Sequence, residues 1–329
     1  MMKLPARKLC YFNEVTTTMT KAKELISKSA EKKKGSFYTP STPEGEPDTA
    51  PFAVVADSQT AGLGTGGRQW ISPPGNLYCT LSIPLQAAAA GQAPADGAFA
   101  LPTAMVPVLS LVCGLVGREA VLQLIKQHVA AAGLAAPDAA AIDALVRTKW
   151  PNDIIYNHKK ISGSLIDNYE PSFAHQEGEP ARGTGRQYLL LGVGVNIETC
   201  PKITDAGREA TTLNAIIDEL NAKHQATIAK ITANELAETF WDLFFGFLTD
   251  ETKANMSYIV AAFEEVMDKS LVLHRRVTRE EPAAGGEGTT TVFDRDPTEL
   301  YAVKLNSWGH LIVKKPDGTE ETLLSEYLY

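Results

Sequence analysis

The stretch from Leu145 to Tyr169 constrains the fold more than any other part of the chain. It reads as three short apolar strands, Leu145–Lys149, Asp153–Tyr156 and Ile161–Tyr169, separated by two tight breaks. Pro151 has no amide hydrogen for a central ladder, so Lys149-Trp150 ends the first strand and the turn presents Asn152 and Asp153. Asn157 to Lys159 is a second turn that returns the chain. Lys160 lies just inside the returning strand, and Gly163 follows with no side chain. A lysine beside a bare glycine on an otherwise apolar strand presents a cation in a concave pocket. The plain alternative is a hairpin with exposed lysines, and that reading is taken for Lys159.

Around this core the chain alternates strands and helices. Cys10–Val15 reads as a strand. Thr16, Thr17, Thr18 and Thr20 offer cap hydroxyls to a helix over Lys21–Lys34 that Gly35 closes, with a lysine-rich solvated face. Strands are expected at Pro51–Ala56, Asn76–Pro84 and Tyr188–Ile197, with one or two helices over 104–132 and an aromatic-faced helix at Glu235–Leu248. Gly133 to Ala141 reads as an Ala-rich link. Ser36–Ala50, Gln86–Ala98 and Pro171–Arg186 read as loops or insertions. The last ~60 residues carry short strands at regular spacing, the pattern of a small all-β barrel.

With 329 residues, and about 150 per domain, two domains are expected. Hydrophobic residues at 44% and charged residues at 21% exclude wholesale disorder. Lys+Arg 31 against Asp+Glu 39 gives −8, which argues against non-specific binding of nucleic acid or anionic lipid. The apolar stretch Leu101–Gly117 is broken by two prolines and two glycines and reads as a buried helix with an irregular start, not a membrane span. Cys10, Cys79, Cys113 and Cys200 lie far apart without metal-ligand spacing, and no apolar leader opens the chain, so a cytoplasmic setting is expected.

Two further segments bear on chemistry. Asp57 to Asn76 contains Gly62, Gly64 and Gly67, a GxGxxG match. A dinucleotide fold needs a helix directly after those glycines, whereas Trp70, Pro73 and Pro74 follow, so that reading fails. What remains is a main-chain loop whose amides can wrap an anion, with Arg68 as a positive fork; a surface turn is the bland alternative. Gly192-Val-Gly-Val-Asn196 is a strand end with two glycines and a terminal amide, or a plain buried strand.

Together the three segments resemble the biotin protein ligases of the biotin/lipoate ligase group. Asp57–Gln59 through Arg68-Gln-Trp70, Ser72-Pro73 and Gly75–Tyr78 look like the family's biotin loop. Lys149-Trp-Pro-Asn-Asp153 with Lys160 and Gly163 is its most specific signature, and Gly192–Asn196 fits its third motif. The resemblance implies an α+β fold: a mixed β-sheet catalytic domain flanked by helices, similar to class II aminoacyl-tRNA synthetases, over 1–267, then an SH3-like β domain over 268–329. It implies that biotin and ATP form biotinyl-5′-AMP, and that biotin then passes to a lysine on the carrier domains of biotin-dependent carboxylases. Lys160, Arg68 and Lys149 are the implied catalytic residues. Thr17, Thr18, Gln59, Gly62, Leu63, Gly64 and Gly163 are implied for biotin, Arg68, Trp70, Asn152 and Asn196 for the nucleotide, and Asp153 for Mg²⁺.

This sequence departs from the family at three places. Thr17-Thr18-Met19 replaces a Ser-Thr-Asn triplet, and Leu63 and Thr65 stand where the family carries basic residues. Each lost cation removes charge-assisted bonds worth about 1.5–3 kcal/mol. A loop that holds the adenylate less tightly is therefore expected, unless a lysine from elsewhere substitutes. A lipoate ligase on the same fold and a weakened biotin-binding protein are the alternatives. A repressor is set aside, since about nine residues precede the first strand, too few for a helix-turn-helix. The expected protein is a monomer or homodimer that binds neither nucleic acid nor membrane.

Overall fold

The computed structural model describes residues 4–32, 50–85, 99, 101, 103–134, 137–173, 182–183, 187–201, 209–282, 289–324 and 328. Strand β1 (Leu9–Val15) leads to helix α1 (Thr18–Lys32), then to β2 (Phe52–Gln59) and β3 (Leu77–Leu85). A 3-10 turn at Thr103–Val108 opens helix α2 (Leu109–Ala131), followed by α3 (Pro137–Leu145), β4 (Val146–Lys149), β5 (Asp153–Tyr156) and β6 (Lys159–Tyr169). After two-residue strands β7 (Ser172–Phe173) and β8 (Arg182–Gly183) come β9 (Gln187–Val195) and helices α4 (Leu213–His224), α5 (Ala233–Thr249) and α6 (Met256–Val266). The chain closes with β10 (Val272–Leu273), β11 (Arg276–Pro282), β12 (Thr289–Arg295), β13 (Leu300–Leu305), β14 (Leu311–Lys314) and β15 (Glu320–Leu323).

One seven-stranded sheet in the order β1-β2-β3-β9-β6-β5-β4 organises the larger part. Only the β1–β2 pair is parallel, its crossover being α1; the other neighbours are antiparallel. Period-2 alternation sorts the side chains between two cores. Phe52, Val54, Tyr188 and Leu190 face Met19, Ala22 and Ile26 of α1, which recur at helical spacing. Ala53, Val55, Leu189 and Leu191 join the larger core with α2 and α5. Because both faces are covered, these strands read as continuous apolar runs.

The hairpin expected at Asn157–Lys159 forms with Asn157 (φ 47°) and His158 (φ 65°) both left-handed, the conformation a two-residue turn needs to match strand twist. Met105–Ala131 is long and apolar enough to cross a membrane, but 78% of its apolar window is buried inside the fold. Gly114 and Gly117 let it press on Phe263 and Ile154, where a Cβ would come within 2.9 and 2.7 Å. The expected link at 133–141 is partly helix: α3 begins at Pro137, a favoured first helical residue. Helices α4 and α6, capped by Thr212 and Asn255, are additions to the expected set. Gly35, Gln86–Ala98 and Gly285–Gly288 lie outside the described residues, as do all but the last residue of Ser36–Ala50 and most of Pro171–Arg186.

The C-terminal strands form an antiparallel sheet β10-β13-β14-β15 and a separate ribbon β11–β12. This unit packs on the larger part: Trp150 Nε1 donates to Gly309 O (2.9 Å), and Leu271, Leu311 and Val313 belong to the larger core.

Candidate active site

A cavity of about 650 Å³ opens where β9, β6 and the turn after β4 meet the glycine loop and the C-terminal unit. Its floor is a side-chain-free patch. Gly163 on β6 pairs with Gly194 on β9, so two neighbouring strands leave bare backbone at one level. Trp70 fills the space over Gly194, where a Cβ would stand 2.7 Å from its ring. Lys160 fills the space over Gly163, where a Cβ would lie 3.0 Å from Nζ. The Lys160 ammonium lies 5.4 Å from the Trp70 ring centroid. Gly194 of the third motif thus makes room for Trp70 of the glycine loop, and Gly163 makes room for Lys160 of its own motif.

Lys160 is held from both ends. Its backbone N–H donates to Glu209 O (2.8 Å) and its carbonyl accepts from Thr211 N–H (2.9 Å). Its Nζ lies 2.7 Å from Asp153 Oδ1, and Lys149 Nζ lies 3.4 Å from Asp153 Oδ2. Burial alone pushes the Asp153 carboxyl up, but the ammonium groups of Lys160 and Lys149 outweigh it and hold it below the usual carboxylate value of 3.8. Lys159 is exposed and pairs with Glu209 at 3.2 Å, as the plain reading requires. Lys149 is buried and also donates to Leu328 O (2.5 Å), tying the last described residue to the site.

The glycine loop is a pinched ribbon. Gln59 bridges Ser72 and Leu63 bridges Gln69, Gly64 N–H donates to Arg68 O (2.8 Å), and Trp70 N–H donates to Gly62 O (2.8 Å). Gly62 lets the two sides close, since a Cβ there would meet Trp70 O at 2.2 Å. Thr65–Gly67 is a single 3-10 turn and not a helix start, as the failed dinucleotide match implies. Arg68 Nη2 reaches back to Thr65 Oγ1 (3.1 Å). A hydrogen-bond chain fixes Gln59: Thr18 N–H donates to its Oε1 (2.8 Å), its Nε2 donates to Ser72 Oγ (2.9 Å), and Ser72 Oγ donates to Trp70 O (2.8 Å). Thr17 Oγ1 accepts from Thr20 N–H (2.8 Å) and caps α1. Asn152 Nδ2 donates to Ser164 O (2.7 Å). Trp70 Nε1 is buried with no hydrogen-bond partner and lies over Gly194, where a Cβ would stand 2.9 Å from it.

All the site residues expected from sequence line this cavity except Gly62 and Asn196. Gly62 acts through the loop backbone. Asn196 Nδ2 donates to Thr211 O (3.3 Å), and its carbonyl accepts from Leu213 N–H. It therefore anchors the segment that pins Lys160, and it does not line the cavity. Asp153 does not suit the magnesium role: each of its oxygens faces an ammonium group. Among the described residues no cluster of three His, Cys, Asp or Glu can hold a metal ion. Met19, Arg276, Trp308, Gly309, His310 and Leu328 line the cavity without having been anticipated, and all but Met19 come from the C-terminal unit.

A family model described as the biotin/lipoate A/B protein ligase family matches residues 43–177. The biotin–[acetyl-CoA-carboxylase] ligase of Paracoccus denitrificans is 30% identical over 154 residues, 47% of this chain and 46% of the relative. The biotin–protein ligase of Homo sapiens is 28% identical over 193 residues, 58% of this chain and 20% of the relative. These matches span less than half of the curated relatives' own length. The crystal structure of biotin protein ligase from Leishmania major in complex with biotin is 36% identical, covering 97% of this chain and 98% of that one with a TM-score of 0.60. The chain belongs to the biotin protein ligase family. A second structure of the Leishmania major ligase, in complex with biotinyl-5-AMP, is 37% identical with a TM-score of 0.58. The Aquifex aeolicus ligase with biotin and ATP, at 20% identity and a TM-score of 0.55, shares the fold. In this ligase-family chain the glycine loop, the strand-end lysine and the bare-glycine floor converge on one cavity.

Proposed function

We propose that the chain is an ATP-dependent biotin protein ligase. A biotin carboxylate oxygen attacks the α-phosphorus of ATP, the bond to the β-phosphate breaks, and pyrophosphate leaves. A carrier lysine amine then attacks the acyl carbon of biotinyl-5′-AMP, releasing AMP and a proton and leaving an amide. One observation carries this reading: the Lys160 ammonium stands over Gly163 inside a cavity that the glycine loop borders. Bringing a carboxylate to a phosphate concentrates negative charge, and a fixed cation in a recess stabilises it most where it builds up. The amides and hydroxyls of Thr17, Thr18 and Gln59 suit a ureido ring, and Met19 and Trp70 supply apolar wall.

The acceptors of this reading are biotin carboxyl carrier domains in the cytoplasm. The units 1–267 and 268–329 are a catalytic domain and a β domain that contributes to the same cavity. The test is biotin-dependent ATP–pyrophosphate exchange. Lys160→Ala is expected to lower the exchange rate about 10²–10³-fold, the scale of removing one preorganised charge-stabilising group. A single cooperative unfolding transition is expected to persist at a lower temperature, because buried Asp153 loses a partner. Unchanged exchange in that variant overturns the role of Lys160, and exchange driven by lipoate instead of biotin overturns the choice of acid.

A further inference from the structure

The described residues that line the cavity include four cations, Arg68, Lys149, Lys160 and Arg276, and one acidic group, Asp153. Lys149 and Lys160 converge on that acid from the strand side. Arg68 lies on the loop side, where its guanidinium is folded back on the Thr65 carbonyl and hydroxyl. Arg276 comes from elsewhere in the chain, at the start of β11 in the C-terminal ribbon. Its Nη1 points at Gly66 O from 3.5 Å, across 210 positions of sequence. Gly66 has φ +65° and a face shut by this guanidinium: a Cβ built there would lie 2.3 Å from Arg276 Nη2. The loop tip is thus shaped to receive the arginine, and two uncharged residues, Leu63 and Thr65, flank that tip on the same cavity wall.

We propose that Arg276 is a nucleotide-binding residue: from the C-terminal unit it supplies the cation that grips the phosphates of ATP and of the acyl-adenylate under the glycine loop. The inference rests on the ligase reading and gives that site its phosphate side. A planar guanidinium makes paired hydrogen bonds to phosphate oxygens, whereas an ammonium acts as a point charge. Arg276 and Arg68 would then close on one anion from two sides of the loop tip. The cation absent at positions 63 and 65 is restored from another part of the fold, by an arginine and not a lysine. Biotin before activation carries its charge at the Lys160 end, so the loss of Arg276 falls on the nucleotide.

The experiment compares wild type, Arg276→Ala and Arg276→Lys as full-length proteins in biotin-dependent ATP–pyrophosphate exchange, titrating ATP and biotin separately. Arg276→Ala is expected to raise the KM for ATP about 10- to 100-fold while moving the KM for biotin less than about twofold, with Arg276→Lys between the two. It is also expected to speed the loss of biotinyl-5′-AMP in a chase. Gly66→Ala, which drives the guanidinium off the tip, is expected to shift the ATP constant in the same direction. An ATP constant unchanged in Arg276→Ala overturns the proposal. A parallel rise in both constants does so too, because it marks a residue that merely props the loop. A wild-type chain without biotin-dependent exchange overturns the ligase reading instead. Equilibrium binding of ATP to wild type and Arg276→Ala then still decides this residue, equal affinities sinking it.

Discussion

Asp153 sits between the two lysines that its own turn and hairpin bring together, and its charge state decides how both are held. Its folded-state value is depressed below 3.8, so the carboxylate contributes stability that is fully present above that value. The contribution is lost as the pH falls through the lower folded value. Across neutral pH the Asp153–Lys160 contact at 2.7 Å is therefore intact. Asp153→Asn leaves two ammonium groups facing a neutral amide. Breaking a buried pair costs about 3–5 kcal/mol, and the lower end applies here because the Lys160 side chain keeps 17% of its exposure. Urea unfolding at pH 7 is expected to show that loss. It is also expected to narrow between wild type and variant below pH 3.8; an unchanged gap at acid pH would show that the stabilisation comes from elsewhere. At this scale the sequence was informative where chemistry and position coincide. Lys160 and Gly163 are three residues apart on one strand, a spacing that period 2 alone puts on opposite faces. The register shift in which Ile154 pairs with Ser162 and Ile155 with Lys160 brings them to one side, so their nearness was legible but not its cause. Asn196 and Arg276 were not legible in the same way. The partner of one is a backbone carbonyl at Thr211, and that of the other is a glycine 210 positions away.

Strands β6 and β9 carry the site because their glycines fall in register. Gly163 faces Gly194, and Ser162 Oγ donates to Gly194 O (2.8 Å), so hydrogen bonds on both sides lock the floor. Gly194→Ala would place a methyl group 2.7 Å from the Trp70 ring, and overpacking of this kind costs about 1–3 kcal/mol. Trp70 can relieve it only by leaving the cavity wall, where it also sits beside Lys160. The expected outcome is a shifted tryptophan emission and a KM for biotin raised about tenfold or more; unchanged values for both would show that Trp70 does not depend on the bare strand. Elements with a strong period were readable in advance: β1 to β3, β9, α1 and α5 all lie close to their expected positions. The Ala-rich run before β4 was not, because alanine without an apolar stripe looks like linker until α3 is seen beginning at Pro137. The glycine loop was legible as a loop but not as a ribbon. Its cross-bridges depend on Gly62 allowing backbone to meet backbone, which no local propensity encodes.

The whole molecule joins an architectural division to a shared interior. The division at 267/268 that we propose separates a sheet-and-helix unit from a β unit, yet Leu271, Leu273, Leu300, Leu311, Val313 and Leu323 share one core cluster with α2, α5 and α6. Gly309, left-handed at φ 79°, brings the β13–β14 turn against Leu111 and Val108, where a Cβ would come within 2.8 Å. The Lys149 bond to Leu328 O runs from this unit to Asp153 and on to Lys160, so docking of the small unit and order at Lys160 are expected to be one event. Trp150→Phe tests that coupling. It removes the Nε1 donor to Gly309 O from an interface where Trp150 is 4% exposed, leaving a buried carbonyl unpaired at a cost of about 1–3 kcal/mol. In calorimetry the wild-type chain is expected to unfold in a single transition, and the variant in a single transition a few degrees lower. Exchange activity is expected to disappear over the same temperature range in each. Two resolved transitions in the wild type, or activity that outlasts melting of the β unit, would show that the small unit is a passenger. The cavity it helps to line would then have to work without it.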